Sequence, residues 1–488
     1  MSRLLLLLVS LAWLLCWSQP VAADDKLPAT IAAKDLEPLS DWYGVYMKDN
    51  MKDKKIGYCR IARDKLDDGV RESFTLVMKL VSFGQKAELS MTQSMVFETK
   101  APYRLLRGEF EQSDGRIKVT IGLERAGDGF KITQVAGGVT QKKDHGPIDY
   151  TYLDSTATER WVRGAPKQGA SIASKDFSMQ ELKIEPQTSK VTSIKSSILA
   201  GVPVKYYEIE TESKQLTMLS RYDDQGRMLT GKFAVFDIRL ENEGQAKNTE
   251  FSQDLFNLSM VKVDRPLGMT HNVRELVVEV AGLDGAKFED GPRQAFILPA
   301  DGKGPTLLKL GKKYGNQPKV SAKEIEENLQ ETLAYPITND KIKALAAKAV
   351  GDAQTAAEKV QRIVGFVHDY VQPSLSATLP NIHDLMQRKK GDCKSYALMT
   401  TTLARAAGVP SREVSGLLYI GDDNKAFGGH AWNEVVLNGV WVPVDSSMRE
   451  TEVNATHVSF GPQDRAAKGL LETMGKLSFK LVEVRTGR

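Results

Sequence analysis

The residues best suited to chemistry are one cysteine, one histidine and one aspartate in the last third of the chain. Gly391-Asp392-Cys393 leads into an apolar run with helical spacing, Tyr396, Met399, Leu403, Ala406 and Ala407, which Gly408 and Pro410 close. The pattern predicts a helix with Asp392 as its N-cap and Cys393 in its first turn. Unpaired N–H groups and the positive end of the helix dipole favour a thiolate there. The same N–H groups can stabilise an oxyanion formed beside the sulfur. A lone cysteine is also, commonly, a small buried apolar residue, so this segment by itself leaves both readings open.

The next segment tilts the balance. His430-Ala431-Trp432-Asn433-Glu434-Val435-Val436-Leu437 is followed by Asn438-Gly439 and then by Val440-Trp441-Val442-Pro443-Val444-Asp445. Asn-Gly between two apolar runs predicts a hairpin with a two-residue type I′ turn. Its register pairs Leu437 with Val440, and, continued outward, Trp432 with Asp445 and His430 with Ser447. Val435, Leu437, Val440, Val442 and Val444 then share an apolar face. His430, Trp432, Glu434 and Asp445 share the other, with His430 and Asp445 as diagonal neighbours. A carboxylate in that position can hold one ring nitrogen of the histidine and leave the other for a thiol. Nucleophilic catalysis by a thiol, assisted by imidazole and carboxylate, is the chemistry these types allow.

The same residues carry a resemblance. Gly391-Asp392-Cys393-Lys394-Ser395-Tyr396-Ala397, Leu403-Ala404-Arg405-Ala406-Ala407-Gly408-Val409-Pro410-Ser411-Arg412, His430-Ala431-Trp432 and Trp441-Val442-Pro443-Val444-Asp445 resemble the transglutaminase-like superfamily over about Thr338–Met448. The resemblance implies a papain-like α+β core. It also implies roles: Cys393 as nucleophile, His430 as general base and acid, Asp445 as the orienting carboxylate. The upstream β region is similar, more loosely, to N-terminal extensions of bacterial members. Departures exist. Animal transglutaminases have an upstream Trp in the oxyanion hole, and this chain has no Trp between Trp161 and Trp432. Gln387 stands six residues before Cys393, the spacing of the oxyanion Gln in papain-like proteases, but Arg388-Lys389-Lys390 also reads as a surface turn. The second oxyanion donor is left unassigned. Asp422-Asp423-Asn424 reads as a polar turn rather than a calcium site. His145, His271, His368, His383 and His457 show no metal-ligand spacing, and no cofactor or metal site is expected.

Stepping outward, the elements that position these residues follow an α+β order. Thr338 or Asn339 caps a helix bearing Ile342, Leu345, Ala346 and Ala349. Gly351-Asp352 starts a second, with Val360, Ile363, Val364 and Val367 on one face and Pro373 marking its end. Strands follow Pro410, and Gly421–Gly429 reads as a long loop before His430. From about Asp41 to Phe251 the chain alternates apolar and polar residues, as in Phe74, Leu76, Met78 and Leu80. Turn signals such as Ser113-Asp114-Gly115 and Gly127-Asp128-Gly129 punctuate it. This predicts a large antiparallel sheet or open barrel. Leu276–Val280 and Ala295–Leu298 mark a β connector or small sheet within 255–330. The expected domains are therefore a signal peptide at 1–23, a β-rich domain at 41–251, the connector at 255–330 and a transglutaminase-like domain at 335–488.

Bulk properties narrow the class. Of 488 residues, 41% are hydrophobic and 26% charged, with a net charge of +4; this fits globular domains and gives no footprint for nucleic acid. Arg3, an apolar run from Leu4 to Trp17 and Val21-Ala22-Ala23 read as a signal peptide. The expected location is periplasmic or extracellular. No later stretch is apolar for long enough to cross a bilayer, and a cell-envelope association is left open. Of the three cysteines, Cys16 falls in that leader, Cys59 reads as a buried residue, and Cys393 is the nucleophile candidate. The expected function is acyl transfer or hydrolysis of peptide or protein amides through a thioester. The alternative is a silent scaffold whose β domain binds an envelope partner or apolar ligand. Arylamine N-acetyltransferases share the Cys-His-Asp chemistry but are cytosolic and have no leader.

Overall fold

A computed structural model describes residues 30–487 except 50–51, 83, 116, 200–201, 214–215, 253, 255–256, 258–259, 269, 284–287, 289, 300–303, 375–379 and 463–474. The leader expected at 1–23 lies outside the described residues. The chain divides into two compact units that part after Asp254.

The first unit is built on a fourteen-stranded antiparallel sheet. Alternation makes these strands: in Val70–Ser82, Phe74, Leu76, Met78 and Leu80 are buried and their neighbours are half-buried. Strands from Leu39–Asp49 to Val139–His145 form one up-and-down meander, and strands from Ser171–Ser178 to Phe236–Glu241 form another. Phe236–Glu241 pairs back onto Leu39–Asp49 and so joins the two. The helix Ala157–Arg163 lies between the meanders in sequence and buries Trp161 and Val162. Cys59 is fully buried in this unit, and burial pushes its thiol well above the ordinary range.

The second unit holds the candidate site. Its strands are β1 (Val261–Val263), β2 (Val273–Ala281), β3 (Gln294–Ile297), β4 (Thr306–Gly311), β5 (Ser411–Tyr419), β6 (Ala426–Leu437), β7 (Val440–Val444), β8 (His457–Pro462) and β9 (Ser478–Thr486). They form one nine-stranded sheet in the order β3-β4-β2-β9-β1-β6-β5-β8, with β7 paired to β6. The strands of 255–330 therefore share a sheet with those that carry the site, rather than forming a sheet of their own. Their apolar residues, among them Leu276, Val278 and Leu308, bury together with Leu417, Phe427, Val458 and Phe479.

After the short helix Ala322–Glu327, the helices that lead to β5 are α1 (Asp340–Val350), α2 (Ala356–Tyr370), α3 (Ile382–Arg388) and α4 (Cys393–Ala406). Asn339 caps α1 by accepting from the Lys341 N–H at 3.0 Å. The second helix starts later than Gly351-Asp352 suggests. Gly351 has φ +57°, a left-handed value that ends α1, and Thr355 with Glu358 forms the capping box that opens α2. Ile342, Ala346, Val360, Ile363, Val364, Val367, Leu385, Met399 and Leu403 bury against one another and against Val435 and Val444 of the hairpin. Each of these Val, Ile, Leu and Met side chains contributes about 1.5–3 kcal/mol by leaving water, so the packing of α4 on β6 and β7 is firmly set. Among the described residues no helix is long and apolar enough to cross a membrane.

Candidate active site

The helix that carries Cys393 begins where its caps require. Asp392 is extended and its carboxylate accepts the Lys394 N–H at 3.2 Å. Its carbonyl accepts from Ser395 at 2.8 Å. Gly408, with φ +78°, ends the helix. Cys393 is therefore the first residue of α4, half-buried and unbridged, and Cys59 is also a free thiol. The ammonium of Lys394 is buried against the Asp392 carboxylate.

On the strand side, Asn438 and Gly439 have φ of 53° and 77°, the left-handed pair a type I′ turn needs. The ladder runs from Leu437↔Val440 to Asn433↔Val444, in the register the turn dictates. It does not continue to Trp432 and Asp445 or to His430 and Ser447. Instead Asp445 exchanges backbone hydrogen bonds with Glu450 at 2.7 and 2.8 Å, and its carboxylate Oδ1 accepts from Ser447 N and Oγ, both at 2.7 Å, and from Met448 N at 3.3 Å. An aspartate that can satisfy the N–H groups just after it bends the chain out of a ladder. Ser446 fixes the bend from outside: its hydroxyl meets Thr400 of α4 at 2.7 Å, and its carbonyl meets Nδ1 of His368 of α2 at 3.0 Å.

The bend still brings the expected side chains together. Nε2 of His430 lies 2.7 Å from Oδ2 of Asp445, and the Cys393 thiol is near enough to the His430 ring for each to shift the other's ionisation. With Nε2 committed to the carboxylate, Nδ1 is the nitrogen left for sulfur. Both faces of the hairpin are buried, because Trp432 packs with Val414 and Val453 on the face opposite the helices. Asn433 ties β6 to the cysteine helix by donating to Ala397 O at 2.9 Å and Thr401 Oγ1 at 2.8 Å.

The charges reinforce one another. Burial alone would drive His430 toward neutrality, but the Asp445 charge and hydrogen bond, with that of Cys393, raise it to about 10. Burial would likewise raise the Cys393 thiol; the hydrogen bond and charge of His430 overcome this and bring it below its ordinary value. Asp445, despite burial, is held far below the carboxylate range by His430 and His457. These shifts favour a thiolate beside an imidazolium.

His457 is the residue that sequence reasoning left out. It opens β8, is buried, and its Nε2 lies 3.2 Å from the same Asp445 oxygen that His430 uses. The available signal was a histidine at the head of an alternating strand, twelve residues beyond Asp445; the pairing of β8 with β5 that delivers it was not visible. The ligand atoms of His430, Asp445 and His457 all lie within 4.8 Å of one another. The separations of 2.7 and 3.2 Å are hydrogen-bond lengths, whereas ligand atoms on a tetrahedral zinc with bonds of ~2.1 Å stand about 3.4 Å apart. We therefore read the trio as hydrogen-bonded.

Other expected residues fall elsewhere. Gln387 is exposed on the last turn of α3. The loop expected from Gly421 to Gly429 is shorter, since β6 begins at Ala426 and pairs Gly428 and Gly429 with Leu418 and Leu417. Asp422 closes it early by accepting from Tyr419 Oη at 2.7 Å and the Leu267 and Gly268 N–H groups at 3.1 and 3.2 Å.

Residues 343–446 match the transglutaminase-like superfamily. No curated protein matches the sequence. Among solved structures, a candidate cysteine protease from Cytophaga hutchinsonii is similar at 14% identity, over 44% of this chain and 86% of that one, with a TM-score of 0.28. A candidate protease from Parabacteroides distasonis is similar at 12% identity, over 78% of this chain and 70% of that one, with a TM-score of 0.20. A TGase is similar at 15% identity, over 47% and 65%, with a TM-score of 0.18. Following a large antiparallel sheet, residues 343–446 form a transglutaminase-like domain.

Proposed function

We propose that this protein is an exported thiol enzyme that transfers or hydrolyses acyl groups of peptide or protein amides, with Cys393, His430 and Asp445 as its catalytic residues. The observation that carries this reading is a thiol at a helix start, coupled electrostatically to the ring of His430, whose Nε2 lies 2.7 Å from the Asp445 carboxylate.

In this reading the Cys393 thiolate attacks the amide carbonyl carbon and a C–S bond forms. The N–H of Cys393 is the oxyanion donor we assign, because the N–H groups of Lys394 and Ser395 are engaged by Asp392. The C–N bond then breaks, and the imidazolium of His430 gives its proton to the leaving nitrogen. Ammonia or an amine departs. Water, or an acceptor amine, next attacks the thioester while His430 takes its proton, and the C–S bond breaks. Proton shuttling of this kind contributes about 10²–10⁴-fold. Asp445 keeps the ring oriented and its charge balanced. The apolar run Leu4–Trp17 and the small residues ending at Ala23 support export.

Incubating the purified protein with a glutamine-donor peptide, with and without a labelled amine, tests the reading. Incorporation of the amine assigns a transferase, and release of ammonia or cleavage without incorporation assigns a hydrolase. Alkylation of Cys393 by iodoacetamide at an ordinary thiol's rate, unchanged in His430→Ala, would sink the thiol mechanism.

A further inference from the structure

Asp445 serves two histidines through one oxygen. Oδ2 faces Nε2 of His430 at 2.7 Å and Nε2 of His457 at 3.2 Å, while Oδ1 is taken by Ser447 N and Oγ and by Met448 N. An ionised carboxylate only accepts, so both Nε2 atoms carry hydrogen. Resting on the thiol reading above, we propose that His457 is a positioning residue whose Nε2–H clamps the Asp445 carboxylate in the rotation that aims Oδ2 at His430.

The carboxylate torsion of an aspartate is soft. Its setting must come from its donors. On the Oδ1 side these belong to the bend itself, and they fix that oxygen. On the Oδ2 side His430 cannot be its own reference, because it is the ring whose orientation has to be set. His457 supplies an independent one. It is carried by β8, whose Val458 pairs with Leu417 of β5 and sits in the sheet's core. Its ring is buried edge-on to Trp432 at 5.2 Å, and Trp432 in turn lies parallel to His430 at 6.0 Å. The three rings thus hold one another in place. The other nitrogen of His457, Nδ1, is buried with no hydrogen-bond partner among the described residues. The contact of Nε2 with Asp445 is thus the hydrogen bond through which this buried ring acts.

The space for this arrangement comes from Gly416, which pairs with His430 on one side and Ser459 on the other. A Cβ at that position would stand 1.9 Å from Val458 O and 2.6 Å from the Trp432 ring.

The test uses the full chain with ¹⁵N-labelled histidine. Two readouts are followed: low-field proton resonances of ring N–H groups bonded to carboxylate, and the iodoacetamide rate at Cys393. Two such resonances are expected in the native protein. His457→Ala should abolish one, displace the other, and slow alkylation by about tenfold, the lower end of what losing an orienting partner costs. His457→Gln, whose side-chain amide can donate from nearly the same point, should recover most of the lost rate. The proposal is overturned if His457→Ala leaves the His430 resonance and the alkylation rate unchanged. It is equally overturned if His457→Gln, folded by circular dichroism, reacts as slowly as His457→Ala. Failure of the underlying thiol reading looks different: native alkylation is then indifferent to His430→Ala, while the paired resonances still report whether His457 holds Asp445.

Discussion

Nε2 of His430 and Oδ2 of Asp445 stand 2.7 Å apart although the β-ladder between their strands stops at Asn433 and Val444. The bend after Val444, not the ladder, delivers the carboxylate. Asp445→Asn should therefore keep the fold but place an amide where an anion belongs. An asparagine Nδ2 facing His430 would demand an acceptor from the ring and select the wrong tautomer. The expected loss of turnover is about 10³–10⁴-fold, as for the same change in a serine triad. Steady-state kinetics beside a circular dichroism spectrum checks it. Loss of activity together with loss of fold would mean the bend itself depends on the charge.

Alkylation against pH separates the ion pair from an ordinary thiol. With His430 raised to about 10 and Cys393 brought below its usual value, the thiolate forms at a lower pH than in a free cysteine. The iodoacetamide rate should therefore rise and level off at a lower pH than an ordinary thiol's. In His430→Ala the thiol keeps only the upward push of burial, so its midpoint should move above about 8.5, the value of a free cysteine. At pH 7 the rate should fall well below the native one. Mass spectrometry of the modified chain reads this at Cys393, with buried Cys59 as the unreactive reference.

Stability should follow the same charges with opposite signs at the two ends of the pH scale. The Asp445 carboxylate is depressed, so its contribution is present above the unfolded value of about 3.9 and is lost as pH falls below it. His430 is raised to about 10. Its contribution is complete below the unfolded value of about 6.5 and is lost as pH climbs through its folded value. The gap in thermal midpoint between the native protein and Asp445→Asn should thus be widest near pH 5–6.5 and shrink toward either end. A gap constant with pH would assign the effect of the substitution to packing.

Much of this site was legible because the decisive signals are local. A capping Asp392 before a periodic run fixes a helix start, and Asn438-Gly439 fixes a turn whose register follows from its two left-handed residues. What sequence could not supply was competition between local and distant partners. The Asp445 carboxylate prefers the N–H groups of Ser447 and Met448 to continued pairing. Asp422 closes its turn early by reaching Leu267, far off in sequence. His457 reaches Asp445 only because β8 pairs with β5. In the same way the strands Val273–Ala281 and Gln294–Ile297 were visible as strands, while their membership in the site's own sheet depends on β9, at the far end of the chain. Periodicity reports which face of an element is apolar, and it is silent on which neighbour covers it.

Chelation should leave the alkylation rate unchanged. His430 and His457 donate to one Asp445 oxygen at hydrogen-bond distance, and a divalent ion would have to displace both protons to bind. Added zinc, which takes imidazole and thiolate readily, should inhibit reversibly, and a chelator should restore the original rate. Activity that falls on treatment with a chelator alone would show that the trio works as a metal centre.

Asn433 gives the last test, because it joins the strand of His430 to the helix of Cys393 without touching either. Its amide donates to Ala397 O at 2.9 Å and to Thr401 Oγ1 at 2.8 Å, and it is 1% exposed. Asn433→Ala removes both bonds, while Ala397 O keeps its donor within α4 and Thr401 Oγ1 its contact with Ser411 Oγ at 3.5 Å. Two buried hydrogen bonds are lost, so a loss of about 1–3 kcal/mol is expected in urea unfolding. Asn433→Asp keeps the shape but turns both donor contacts into acceptor contacts at a carbonyl and a hydroxyl. The Ala397 contact then becomes repulsive, and this variant should be the less stable of the two. If both variants instead unfold at the native urea midpoint while Cys393 alkylates more slowly, the link between β6 and α4 serves only to align sulfur with imidazole. Loss of stability with an unchanged rate in the folded fraction would mean that packing of Val435 and Val444 on the helices already sets that alignment.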